Sequence, residues 1–191
     1  MAESDFLDDR RRASEDDYFR KKDKELVEKM RQAAAAERAK NELSAKTGLA
    51  DPVLVQELQE LGFSPETVIV LPLVPIVQMA WAEGGITPAE RTLLVELARE
   101  RGIAQGSAAD RLLSDWMSRE PSADVFERAA RLIRAMLDAN VPEHAAMSAD
   151  DVIKYAESIA AASGGIFGIG RISSEEHATL AKIAAALKGH R

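Results

Sequence analysis

The chain lacks cysteine altogether, which removes disulfide staples, thiolate nucleophiles and cysteine-ligated zinc or iron. Aromatics are scarce at 5% while alanine is abundant, a mixture that favours helices. No segment alternates apolar and polar residues for long enough to argue a strand. The longest uncharged run, Thr67 to Ala82, is 16 residues and contains Pro72 and Pro75; a membrane span needs about 20 apolar residues. That run therefore reads as a central helix buried on all sides by its own domain. The first residues, MAESDFLDDRRR, have no apolar stretch behind their charges and do not resemble a secretory signal. The expectation is a cytoplasmic chain without membrane insertion.

What is present fits a soluble globular protein: 46% apolar and 30% charged residues over 191 positions, enough for one cored domain and an appendage. The formal charge of -7 is unevenly spread. Residues 1 to 46 hold 12 Lys+Arg and 12 Asp+Glu, leaving 13 and 20 for residues 47 to 191. An acidic domain repels phosphate backbones, so no nucleic-acid partner is expected. The small cluster Arg10, Arg11, Arg12 reads as part of a solvated, flexible tail spanning 1 to 13.

From Ser14 to Lys46 the chain has no glycine or proline and is rich in Glu, Lys, Arg and Ala. Ser14 with Asp17 resembles a capping box, and Asp16 with Arg20, Asp17 with Lys21 and Glu25 with Lys29 are i,i+4 pairs of favourable sign. The pattern predicts one long charged helix over 14 to 46 whose apolar stripe, Phe19, Leu26, Met30 and the alanines 33 to 36, is narrow. Such a helix is marginal alone and wants a partner surface. Tyr18 and Phe19 stand about 100° apart on it, which suits insertion into a cleft with two walls. Arg20, Lys21, Lys22 and Lys24 are then placed for acidic groups along that cleft.

After Gly48 short helices alternate with clear punctuation. Asp51-Pro52 opens a helix ending at Gly62, and Ser64-Pro65-Glu66 opens one running to Glu83-Gly84-Gly85. Thr87-Pro88-Ala89-Glu90 is a complete capping box whose helix stops at Gly102. Further N-caps are Ser107, Ser122, Ser148 with Asp151, and Ser173 with Glu176. Residues 85 to 90 with Leu94 and Leu97 parallel residues 171 to 176 with Leu180 and Ile183. The expected architecture is all-α: a long N-terminal helix, then a compact helical domain over 47 to 191 of two pseudo-repeated helix-loop-helix halves.

Catalysis does not emerge. His144, His177 and His190 lack the Ser, Cys or carboxylate spacing of a relay, and the loop GGIFGIG follows a helix and lacks the lysine of a phosphate loop. Its Ile166, Phe167 and Ile169 suit a hydrophobic hairpin tip. No enzyme and no cofactor are expected from the residues themselves.

Two resemblances add to this. LVPIVQMAWAEGGITPAERTLLVELA, with ESIAAASGGIFGIGRISSEEHATLAKIAAAL as its second half, resembles the tellurite-resistance TerB-like family over roughly residues 65 to 188. That resemblance implies a helical stress-response domain and divalent-metal binding through acidic loop residues, here Glu83, Glu90 and Glu176. Glu90 and Glu176 have a structural role too, as capping-box partners of Thr87 and Ser173. The segment EDDYFRKKDKE is similar to the inhibitory segment of the mitochondrial ATPase inhibitor protein, with Glu15, Tyr18, Phe19, Arg20, Lys22, Lys24 and Glu25 matching and Asp17 departing. Similar segments also precede other small bacterial domains, as a portable docking helix. The resemblance implies a non-enzymatic regulator of ATP synthase whose helix, including Leu26, enters the F1 part and blocks ATP hydrolysis. Oligomeric state is not legible in the sequence.

Overall fold

The computed structural model describes residues 2–139, 148–162 and 172–188, with side chains from residue 18 onward. The fold is all-α, and no strand occurs among the described residues. Helix α1 spans Ala2–Thr47, α2 Pro52–Glu60, α3 Val74–Ala80, α4 Pro88–Glu100, α5 Ala108–Ser118, α6 Ala123–Asp138, α7 Ala149–Ala162 and α8 Ser174–Lys188. A 3₁₀ helix, Val68–Leu73, precedes α3. The chain divides into two compact units, Met1–Asn41 and Glu42–Arg191.

Helix α1 begins at Ala2, well before the start expected at Ser14, so residues anticipated as a flexible tail are helical. Nothing between them and Thr47 interrupts a helix: glycine and proline are both absent there. Within the first unit Tyr18, Phe19, Leu26, Val27 and Met30 are all exposed. The last turns of α1 belong to the second unit and are fixed there. Leu43 is fully buried, the Thr47 hydroxyl donates to the Leu43 carbonyl at 2.7 Å, and Lys46 Nζ donates to the Pro65 carbonyl at 2.6 Å.

In the second unit the centre is the apolar run 68 to 80. Val70, Leu71, Leu73, Val74, Ile76, Val77, Met79 and Ala80 are each at most 1% exposed, as expected for a segment enclosed by its own domain. It is not the single helix from Ser64 that the sequence predicted. Pro72 has no N–H to continue an α-helical ladder, so the first part winds as 3₁₀. Pro75 sits in the first turn of α3, where a missing donor costs nothing. Helix α3 packs against α4, α6, α7 and α8 and is the hub of the unit.

The surrounding helices start where the capping residues place them. Asp51 accepts from Val53 N at 2.9 Å and Ser107 from Asp110 N at 3.1 Å. Ser148 and Asp151 bond reciprocally at 3.0 and 3.1 Å. Ser122 opens α6 without a side-chain bond. Gly62 and Gly102, at φ of +84° and +80°, close α2 and α4 in the left-handed region that glycine tolerates. Helices α2 and α6 are clamped by charge: Arg128 binds Glu57 and Glu60 at 2.8 Å each, and Arg131 also reaches Glu57.

Candidate docking helix and the paired capping glutamates

The residues expected to bind a partner lie on one uninterrupted helix. Tyr18 and Phe19 are 58% and 61% exposed, which is far from the state of an aromatic serving its own core. Their rings meet edge to face at 5.9 Å, and Lys22 Nζ stands 5.8 Å from the Tyr18 ring centre. Leu26 is equally open at 58%. Arg20, Lys22, Lys24 and Glu25 are exposed around them, with Lys22 and Glu25 3.7 Å apart. Glu15 falls where the backbone is helical but side chains are not described.

The winding of the helix sorts these residues into a pattern. At 3.6 residues per turn, Phe19, Leu26 and Met30 fall within about 20° of one line along the helix. Lys22 and Lys29 border that line on one side. Val27, Arg20 and Arg31 border it on the other, interrupted by Asp23. An apolar stripe with bases on both edges is chemically suited to an apolar groove with acidic lips. Tyr18 lies outside the stripe, beyond the lysine edge, where it can reach a second wall.

The candidate metal residues divide differently. Glu83 is exposed, whereas Glu90 and Glu176 are 3% and 1% exposed. Both buried carboxylates cap a helix. Thr87 N donates to Glu90 Oε2 at 2.7 Å while Glu90 N donates to the Thr87 hydroxyl at 3.3 Å. Ser173 and Glu176 repeat the arrangement at 2.6 and 3.1 Å. Burial first of all, and then the charges of Glu176 and Glu83, push the Glu90 carboxyl above its ordinary value, against the lowering effect of its bonds to Thr87. No three His, Asp or Glu side chains converge as a metal-ligand group among the described residues. Of the histidines, His177 is exposed on α8; His144, His190 and the loop with Ser163, Ile166, Phe167 and Ile169 lie outside the described residues.

Two clefts in the second unit were not foreseen from sequence. One of about 470 Å³ lies between α3, α6 and α8, with Trp81, Phe126 and Ile183 in its wall. Its rim mixes Glu120 and Glu127 with Lys182, so it selects neither sign of charge. The other, a notch of about 190 Å³ between α4 and α7, is lined by apolar residues with Glu96 and Glu100 beside them. The signal was present in α4 as two interleaved i,i+4 pairs, Leu93 with Leu97 and Glu96 with Glu100.

No family model matches the chain, and neither curated proteins nor solved structures provide a match. No helix among the described residues is long and apolar enough to cross a membrane.

Proposed function

We propose that this chain is a non-enzymatic regulator whose helix α1 docks into a cleft of a larger protein. The target we assign is the F1 part of ATP synthase, with inhibition of ATP hydrolysis as the outcome. One observation carries the reading: adjacent aromatics, Tyr18 and Phe19, stand open to solvent on a charged helix. Exposed aromatics flanked by bases are the composition of an interface anchor. Because neighbouring helical positions point about 100° apart, each ring meets a different wall of the receiving cleft. Arg20, Lys22 and Lys24 supply charge-assisted hydrogen bonds to carboxylates at its lips. The second unit then acts as bulk, further contact surface or sensor.

The test is ATP hydrolysis by F1-ATPase purified from the same cell, titrated with the full chain. Inhibition is expected, and replacing Tyr18 and Phe19 together by alanine should weaken it roughly thirtyfold or more, the loss expected when anchor side chains are removed. Inhibition that survives the double replacement would refute the mechanism.

A second reading, a divalent-metal-binding stress protein of the tellurite-resistance type, draws on the buried Glu90, which feels both Glu176 and Glu83. A cation between them would relieve that repulsion. Calorimetry with calcium and magnesium tests it, and no heat at millimolar ion removes it.

A further inference from the structure

We propose that the notch between α4 and α7 receives helix α1 of a second copy of this chain. The inference does not require F1 as the target: it shares Phe19, Arg20 and Lys22 of α1 with the regulatory reading, but the notch is a surface that reading leaves unused.

The size of the notch comes first. Small-molecule clefts run to roughly 300–1,000 Å³, whereas this one is about 190 Å³ and accommodates a large side chain better than a free ligand. Leu93, Leu97, Tyr155 and Ile159 line it. Leu97 and Ile159 are buried, while Tyr155 in the lining is 37% exposed. That is the form of a pocket that takes one apolar anchor.

Charge then selects the anchor's surroundings. Glu96 and Glu100 line the notch, both are exposed, and no base among the described residues lines it with them. Among the described residues neither is paired with a lysine or arginine. Like charges four apart on a helix repel, so the pair gains from a cationic visitor. The α1 stripe offers the complement: Phe19, Leu26 and Met30 are exposed apolar anchors, and Lys22, Lys29, Arg20 and Arg31 border them. Phe19 seated in the notch brings lysines or arginines of the neighbouring turns to Glu96 and Glu100. Two copies that exchange helices in this way make the same contact twice, so the association closes as a symmetric dimer. It also covers Phe19 until the dimer separates, which makes the free helix a matter of concentration.

Sedimentation velocity of the full chain, from micromolar to millimolar concentration, should show a monomer giving way to a dimer, with the transition weakened by salt. Replacing Glu96 and Glu100 together by lysine, or Lys22 and Lys29 together by glutamate, should each weaken dimerisation roughly tenfold or more. All four positions are exposed, and circular dichroism checks that each variant keeps its helices. Mixing the two variants restores opposite charge at both contacts, so dimers should reappear in the mixture. A chain that stays monomeric throughout overturns the proposal. So does a dimer indifferent to both charge reversals, or a mixture no more associated than its components.

Discussion

The two units use the same kind of sequence for opposite ends. Both are helical and both are rich in alanine and charge, yet Phe19 is 61% exposed and Leu71 is fully buried. In Glu42–Arg191 the helices are short, most start at a side-chain cap, and α4, α6, α7 and α8 pack on α3. In Met1–Asn41 a single helix runs without glycine or proline, and its described large apolar residues, Phe19, Leu26, Val27 and Met30, are exposed. Isolated helices are marginal even with good propensity, and most helical stability in proteins comes from packing. The contrast teaches that the first unit's apolar surface is not spent on the molecule's own stability, which is what a surface kept for a partner requires.

The largest effect that sharpens this contrast is a truncation in the centre of the second unit. Leu71→Ala should cost about 2–5 kcal/mol, the range for emptying a packed leucine site. Tyr18→Ala with Phe19→Ala should change the unfolding free energy, read from urea titration like that of Leu71→Ala, by less than about 0.5 kcal/mol. A destabilisation of similar size in both variants would mean that the aromatics support the fold, and the comparison would collapse.

A smaller effect concerns the α2–α6 clamp. Burial raises the Glu57 carboxyl, but hydrogen bonds from Arg128 and Arg131, together with their charges, outweigh it and leave the group below its ordinary value of 4.5. A carboxylate held low contributes stability above its unfolded value and loses it as pH falls through the folded one. Arg128→Ala should therefore cost on the order of 1–3 kcal/mol at neutral pH, typical of hydrogen bonds to charged groups. The difference from the parent chain should shrink as the solution is acidified below 4.5. A gap that stays constant from neutral to acid pH would show that the pair's charge is irrelevant.

The smallest effect has the opposite sign. Glu90 is held above 4.5, so its contribution is fully present below that pH and is lost as pH rises through the folded value. Glu90→Gln keeps an oxygen to accept from Thr87 N and removes the charge facing Glu176 and Glu83. The variant should gain stability relative to the parent as pH rises from acid to neutral. Unfolding curves collected across that range decide it, and parallel pH profiles would remove the proposed repulsion.

Much of the second unit was legible because its signals are local. A hydroxyl or carboxylate three residues ahead of an acceptor predicts a cap, and Thr87 with Glu90, Ser173 with Glu176, and Ser148 with Asp151 all formed theirs. Asp51-Pro52 likewise set the start of α2. The break of the central run into 3₁₀ and α segments was missed, because apolar content masked what Pro72 and Pro75 do to the backbone ladder. The early start of α1 at Ala2 was missed because Ser14 looked like a cap, and a capping residue inside a helix is not obliged to end it. The mutual repulsion of Glu90 and Glu176 and the notch between α4 and α7 depend on elements distant in sequence. No local pattern carries the first, and of the notch only the α4 half shows as one, in Leu93 with Leu97 and Glu96 with Glu100.

Trp81 and Trp116 both belong to the second unit, where the Trp81 indole N–H donates to the Trp116 carbonyl at 2.9 Å and the Trp116 ring meets Phe63 edge to face at 5.8 Å. The first unit contains no tryptophan. The molecule is therefore optically partitioned: indole emission reports the packing of the second unit, while far-ultraviolet dichroism sums the helices of both. Heat or denaturant that erodes the dichroism before the emission moves has melted the first unit alone, without a label or a truncation.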